Sequence, residues 1–277
     1  MIIDSHLHLP PIRKVGCQMI RLAKNYKEAR RILIKDLKKN NIDYAIVIPD
    51  NVPDDKGAIP GLDTTLNLLK NNKRFFIAGT ISILRKEEKI LKKLDNLFKT
   101  KKIVAMKIFP GHDPIYPTDK RLIPVYKLCI KHNLPIIVHT GGSSNDSDAA
   151  KYNDPKYIIK IARRYPELKI VIAHYFWPKV EYCYKLTRGH KNIYFDTSAL
   201  ADKEVVEETG AGKIKKILEK TIRDNPESVL FGTDYACCEI KDHIKLINSL
   251  NISKEEKEKI FWKNAVKLFK LDIKYVN

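Results

Sequence analysis

Short runs rich in Ile, Val and Phe recur along the whole chain, and each is followed by a stretch whose apolar residues return at helical spacing. In order the runs are MIIDSH, DYAIVIP, RFFIAGTI, KIVAMKIF, LPIIVHT, LKIVIAHY, NIYFDTS and SVLFGTD. Between them lie the helical candidates YKEARRILIKDLKKNN, LDTTLNLLKNN, KEEKILKKLDNLF, DKRLIPVYKLCIKHN, DPKYIIKIARRY, KVEYCYKLTR and KIKKILEKTIRDN, and after the last run KDHIKLINSL with a helical tail. Eight βα units in succession predict an α/β fold, the (β/α)8 TIM barrel. Many of the strands are apolar at nearly every position, as strands covered on both faces require. An open, doubly wound sheet would want a glycine-rich first turn to cradle phosphate, and HLHLPPIRKVG carries no such fingerprint. No linker, repeat or low-complexity tract breaks the pattern, so residues 1–277 are expected to form a single domain.

Charge adds a question and partly answers it. The formal net charge is +19, from 52 Lys and Arg against 33 Asp and Glu, a balance that would suit a polyanionic partner if the lysines were clustered. They are instead interleaved with glutamate, as in RKEEKILKKLDNLFKTKK and SKEEKEKIFWKN, which fits solvated helix faces with i,i+4 pairs and argues against nucleic acid. The Lys-, Glu- and Ile-rich, Gln-poor usage resembles that of hyperthermophile proteins. No apolar run approaches the roughly 20 residues that span a bilayer, and the N-terminus reads as a strand, not a signal. The five cysteines (Cys17, Cys129, Cys183, Cys237, Cys238) are odd in number and lack C-x-x-C spacing, so a reduced, cytoplasmic protein is expected.

The histidines are placed unevenly. His6 and His8 end the first run, His139 the fifth and His174 the sixth; Asp234 ends the eighth, and Lys107 lies near the end of the fourth. Strand C-termini form the functional mouth of such a barrel, so these six side chains are expected to converge there. Alternation along a strand places His6 and His8 on one face, with Asp4 a layer deeper and suited to orienting a ligand. An isolated H-x-H pair serves equally well to close a strand; the whole constellation points to a divalent metal. His132 and His243 fall in helices and His190 in a turn, and all three read as structural. His112, in FPGHDP, reads either as a substrate contact or as an ordinary loop residue. Arg13, Lys14, Arg21 and Lys24 offer cations to a substrate carboxylate or form a solvated basic loop. Thr197, Ser198, Tyr235, Cys237 and Cys238 read as loop packing.

These motifs, IDSHLHL, MKIFPG, LPIIVHTG, IAHY, NIYFDTSA, LFGTDYA and NAVKLFKL, together resemble the amidohydrolase superfamily, and within it the amidohydrolase-2 branch, along essentially the whole chain. The resemblance implies that His6, His8, His139 and Asp234 bind a catalytic metal, with His174 as a further ligand or as the acid/base and substrate-polarising group. It implies Zn²⁺, or another divalent ion such as Mn²⁺, Fe²⁺ or Ni²⁺, in one or two copies. Lys107 occupies the strand that in two-metal relatives carries a carboxylated lysine bridge, and reads otherwise as a substrate-anion contact. The implied activity is hydrolysis of an amide, lactone or ester by a metal-activated water, with Asp234 accepting and returning the proton. The alternative is non-oxidative decarboxylation of an aromatic or unsaturated acid in the same pocket. Metal-dependent nucleases and phosphoesterases also begin with H-x-H, but favour a glutamate where this chain has Lys107; a non-catalytic binding protein would be expected to lack a ligand, and none is lacking. A small anionic substrate is the expected partner, with a homo-oligomer left open.

Overall fold

The computed structural model describes residues 1–14, 20–51, 57–84, 88–142 and 147–273; Cys17 lies outside them. Eight parallel strands are hydrogen-bonded in chain order: β1 (Ile3–Leu7), β2 (Tyr44–Val47), β3 (Phe75–Thr80), β4 (Ala105–Ile108), β5 (Ile136–Val138), β6 (Ile170–Ile172), β7 (Ile193–Asp196) and β8 (Val229–Leu230). The helices that follow them are α1 (Tyr26–Lys39), α2 (Leu62–Leu69), α3 (Glu88–Lys99), α4 (Ile123–His132), α5 (Ser147–Tyr152), α6 (Pro155–Arg164), α7 (Val180–Thr187), α8 (Lys203–Thr209), α9 (Ala211–Asp224), α10 (Ile240–Asn248), α11 (Lys254–Glu258) and α12 (Asn264–Phe269). This is one (β/α)8 barrel, as the alternation of elements predicts. The short helices α5 and α8 are additions in the loops after β5 and β7. Among the described residues no helix is long and apolar enough to cross a membrane.

The period of two along each strand sorts the residues into layers. Ile3, Ile46, Ala78, Ala105, Ile137, Val171 and Leu230 pack together inside the barrel, and Ala265, Leu268, Phe269 and Leu271 of the closing segment belong to the same cluster. Two residues beyond Ala105 and Ile137 stand Lys107 and His139, and Asp196 stands two beyond Tyr194, which packs against the same cluster. The polar groups of the mouth therefore sit one step above an apolar plug. Gly232 occupies that same step on the eighth segment, where a Cβ would lie 3.0 Å from His6 Cβ and 3.4 Å from Asp196 Cβ.

Alternation fails at one point, in β1. Its pairing with β2 shifts register between Asp4 and Leu7, so that Ile3 packs in the interior cluster while Leu7 packs among the helices. Asp4 consequently reaches no imidazole. Its carboxylate accepts from the backbone N–H groups of His6 and Thr233 (both 3.1 Å) and from the Thr233 hydroxyl (2.5 Å). The expectation that Asp4 orients a ligand ring is corrected accordingly: it fixes the backbone beneath the site. Burial pushes its carboxyl up to about 7, against these hydrogen bonds.

The barrel closes through the segment that carries the site. SVLFGTD reads as a seven-residue strand, but β8 keeps only two residues before the chain turns to bond β1. Ser5 N–H donates to Phe231 O (2.8 Å), and both Thr233 and Asp234 N–H donate to His6 O (3.2 and 2.8 Å). Phe231 N–H goes instead to Ile260 O (3.0 Å), in a π-helical turn over Lys259–Lys263. Asn264, 4% exposed, then ties α12 to the strand by donating from Nδ2 to Pro226 O (2.9 Å) and Val229 O (2.8 Å). Replacing Asn264 with Ala strands both carbonyls and is expected to cost about 1–3 kcal/mol. A urea midpoint lowered at constant slope would register that loss, and an unchanged midpoint would refute it.

Candidate metal centre at the barrel mouth

His6 and His8 stand at the end of β1, their rings edge to face with centroids 5.6 Å apart. One nitrogen of each ring is committed to the protein. His6 Nδ1–H donates to Asp196 Oδ2 (2.7 Å), and His8 Nδ1–H donates to the carbonyl of Ile48 (2.8 Å). A proton fixed on Nδ1 leaves the lone pair on Nε2. Both Nε2 atoms face Asp234 Oδ1, at 3.6 and 3.4 Å. Asp234 is presented there by a left-handed backbone (φ 61°), a conformation that aspartate tolerates better than most residues. Donor atoms of His6, His8 and Asp234 all lie within 4.8 Å of one another. Two available imidazole lone pairs beside one carboxylate oxygen fit a divalent first-row cation.

A second carboxylate organises the far side. Asp196, 1% exposed at the end of β7, takes His6 Nδ1–H on Oδ2, while Oδ1 accepts from the backbone N–H groups of His174 (3.0 Å) and Ser198 (3.2 Å) and from the Ser198 hydroxyl. Burial pushes the Asp196 carboxyl up, but His6, His174 and Ser198 outweigh it and hold the group below the ordinary carboxylate range. His174 follows β6 in a run of three left-handed residues, His174, Tyr175 and Phe176 (φ 60°, 54° and 55°). Each costs about 1 kcal/mol or more in such a conformation. Asp196 offsets that cost at His174 N–H, and Thr140 Oγ1 does so by accepting Phe176 N–H (3.0 Å). The turn brings the His174 ring to 4.8 Å from that of His6.

Lys107 and His139 complete the mouth. Lys107 is 1% exposed, and its Nζ donates to His6 Nε2 (3.2 Å). Burial pushes it down to about 8, against the upward pull of Asp196 and Asp234. His139 adjoins His174 (centroids 5.0 Å) and His112 (4.5 Å) and stands outside both groups of close donors, His6–His8–Asp234 and His6–His174–Asp196. The five rings His8, His6, His174, His139 and His112 form a continuous row, which brings His112 to the site. Burial lowers the pKa values of His6, His139 and His174, the last to about 3, with Lys107 adding to the effect at His6 and His112 at His139. All three imidazoles are therefore neutral at neutral pH.

The amidohydrolase family model matches residues 3–271. The chain belongs to the amidohydrolase family. Solved structures of the same fold include an uncharacterised TIM-barrel protein from Bordetella bronchiseptica, 20% identical over 98% of each chain with a TM-score of 0.75. A probable 2-pyrone-4,6-dicarboxylic acid hydrolase from Acinetobacter baumannii, solved with citric acid, is 15% identical over 97% of this chain and 99% of its own, with a TM-score of 0.68. A 5-carboxyvanillate decarboxylase from Novosphingobium aromaticivorans, complexed with manganese and 4-hydroxy-3-methoxy-5-nitrobenzoic acid, is 16% identical over 87% and 80%, with a TM-score of 0.60. Comparison with curated protein sequences returns no match. These structures share the barrel fold of the chain.

Within this amidohydrolase framework the remaining candidates sort by contact. His132 Nε2 bonds Asp95 (2.7 Å), His243 bonds Glu239 O through Nδ1 (3.0 Å) and accepts Ala201 N–H at Nε2 (3.3 Å), and the backbone N–H of the turn residue His190 goes to Thr187 O. Arg21 is held by Asp36 (2.7 Å) and Glu239 (3.4 Å), and Asp36 also accepts from the Tyr235 hydroxyl (2.8 Å). That network straps the first loop to the last. Thr197 Oγ1 bonds Gly232 O (3.0 Å) and is packing, as read from sequence. Ser198 is not: it touches His174 as well as Asp196. Asp196 itself was overlooked, although a carboxylate ending the apolar run IYFD was a signal that a buried anion needed partners. In Asp196→Asn the Nδ2 donor meets a ring N–H or forces His6 into the other tautomer. Zinc affinity is expected to fall about 10–100-fold, read by competition with a chromophoric chelator on protein of wild-type circular dichroism. Unaltered affinity would remove Asp196 from the support of the site.

Proposed function

We propose that this chain is a metal-dependent hydrolase that cleaves an ester, lactone or amide bond in a small carboxylate-bearing substrate, with Zn²⁺ as the cation. The position of Asp234 carries the reading: Oδ1 faces the Nε2 atoms of His6 and His8, while Oδ2 faces His174 Nδ1 at 4.0 Å. His6, His8 and Asp234 would hold the cation, with His139 and His174 as further ligands or as groups facing the substrate. A bound divalent cation supplies Lewis acidity, polarising a carbonyl and making coordinated water acidic.

Asp234 supplies the base. It enters as the anion, the ordinary state of a carboxylate at neutral pH. It accepts the proton of the attacking water at Oδ2 and returns it to the departing alkoxide or amine, as one C–O bond forms and the scissile bond breaks. Lys107 is a buried amine whose hydrogen bond goes to an imidazole lone pair, the one that a metal would take. A substrate carboxylate gives its ammonium a better acceptor.

A fold neighbour that is a decarboxylase supports a second reading, in which the same pocket delivers a proton to carbon as CO₂ departs. The hydrolytic reading is the one that gives Asp234 a water proton to accept and return. Plasma mass spectrometry of untagged protein is expected to find about one or two metal equivalents, largely lost in His8→Ala. With 2-pyrone-4,6-dicarboxylic acid and 5-carboxyvanillate as probes, ring opening of the first supports hydrolysis, whereas CO₂ release from the second transfers the conclusion to decarboxylation. Asp234→Asn, assayed at saturating Zn²⁺, is expected to lower kcat by about 10²–10⁴. Wild-type turnover in that variant would dismiss Asp234 as the base.

A further inference from the structure

The protons around Asp196 can be counted. Ser198 is fully buried, and its hydroxyl oxygen meets Asp196 Oδ1, His174 Nδ1 (2.9 Å) and His6 Nδ1 (3.2 Å). A serine hydroxyl has one proton to give and otherwise only accepts. Asp196 Oδ1 already accepts from the backbone N–H groups of His174 and Ser198, so its close contact with Ser198 Oγ is bonding only if the serine proton lies between them. His6 Nδ1–H is already given to Asp196 Oδ2 at 2.7 Å. Ser198 therefore turns lone pairs alone toward His174 Nδ1, and a contact of 2.9 Å with that nitrogen requires it to carry hydrogen. The opposite assignment, with Ser198 donating to His174, would set hydroxyl lone pairs against a carboxylate oxygen. Asp234 Oδ2, at 4.0 Å from the same ring nitrogen, is beyond hydrogen-bond reach.

We propose that Ser198 is a positioning residue that, anchored by Asp196, fixes His174 as its Nδ1–H tautomer and so leaves the ring's lone pair on Nε2. His174 then serves at Nε2 as a ligand or a proton acceptor, not as a proton donor. The tautomer follows from the hydrogen-bond geometry; its consequence for turnover rests on the hydrolase reading.

Proton–nitrogen correlation NMR on full-length protein with isotopically labelled histidine nitrogens tests this, first after exhaustive chelation and then with Zn²⁺ added. The His174 signals are identified by their loss in His174→Gln. Wild-type His174 is expected with its proton on Nδ1. In Ser198→Ala the Nε2–H form is expected to rise from minor to major, in Ser198→Thr the wild-type pattern returns, and in both His6 keeps its proton on Nδ1. A wild-type His174 protonated on Nε2 overturns the assignment without recourse to any variant. An unchanged Nδ1–H signal in folded Ser198→Ala shows that Ser198 is not what fixes it. Because the readout needs no substrate, its failure leaves the hydrolase reading standing, and failure to hydrolyse any probe leaves the tautomer standing.

Discussion

A carboxylate sealed inside a barrel must be met by donors, and the site is built around how Asp196 meets that demand. Its two oxygens gather a ring N–H from β1, a backbone N–H from the turn after β6, and a backbone N–H and hydroxyl from its own strand end. The same bonds place His6 and His174 side by side. They also decide which nitrogen of each ring is left with a lone pair, something that proximity alone does not do. The left-handed run at His174–Phe176 becomes intelligible as a detour that brings one peptide N–H to this anion.

Eight repeats of strand and helix were legible because burial on both faces writes itself into composition, and a strand's end can be found wherever that composition stops. Histidines at those ends were legible for the same reason. Lys107 lies on the interior face that alternation gives it and His174 reaches the mouth only through its left-handed turn, but both were legible from their place at a strand's end. Asp196 was not, since its partners are 190 and 22 residues away in sequence and the run IYFD announces a buried anion without telling what meets it. Ser198 was read as packing because a hydroxyl's role depends on who shares its proton. The register shift in β1 misdirected Asp4, because period-two reasoning carries no provision for an extra residue. Nor does helical spacing expose the π-helical turn over Lys259–Lys263, whose apolar pattern continues that of the flanking helices.

Electrostatics divides the molecule sharply. Outside, lysines pair with glutamates and aspartates along helices and between them, as in Lys99–Asp95, Lys131–Asp95 and Lys267–Glu227; exposed pairs of this kind contribute little individually. Inside, one amine and two carboxylates share a space lined by neutral imidazoles. The large positive charge belongs to the outer surface and says little about the chemistry at the mouth. The family match spans residues 3–271 and so includes His6, His8 and Asp234, the three residues whose donor atoms converge at the mouth.

The short eighth strand has a mechanical meaning. Its ladder gives out after two residues, and the first and last strands are thereafter laced together by Thr233 and Asp234 reaching His6 O, the very residues whose side chains flank the candidate centre. An ion held by His6, His8 and Asp234 would therefore also join the two ends of the sheet, the N-terminal strand to the C-terminal segment. Its binding free energy enters the folding equilibrium directly. An occupant held there would stabilise the closed barrel in proportion to how tightly it binds.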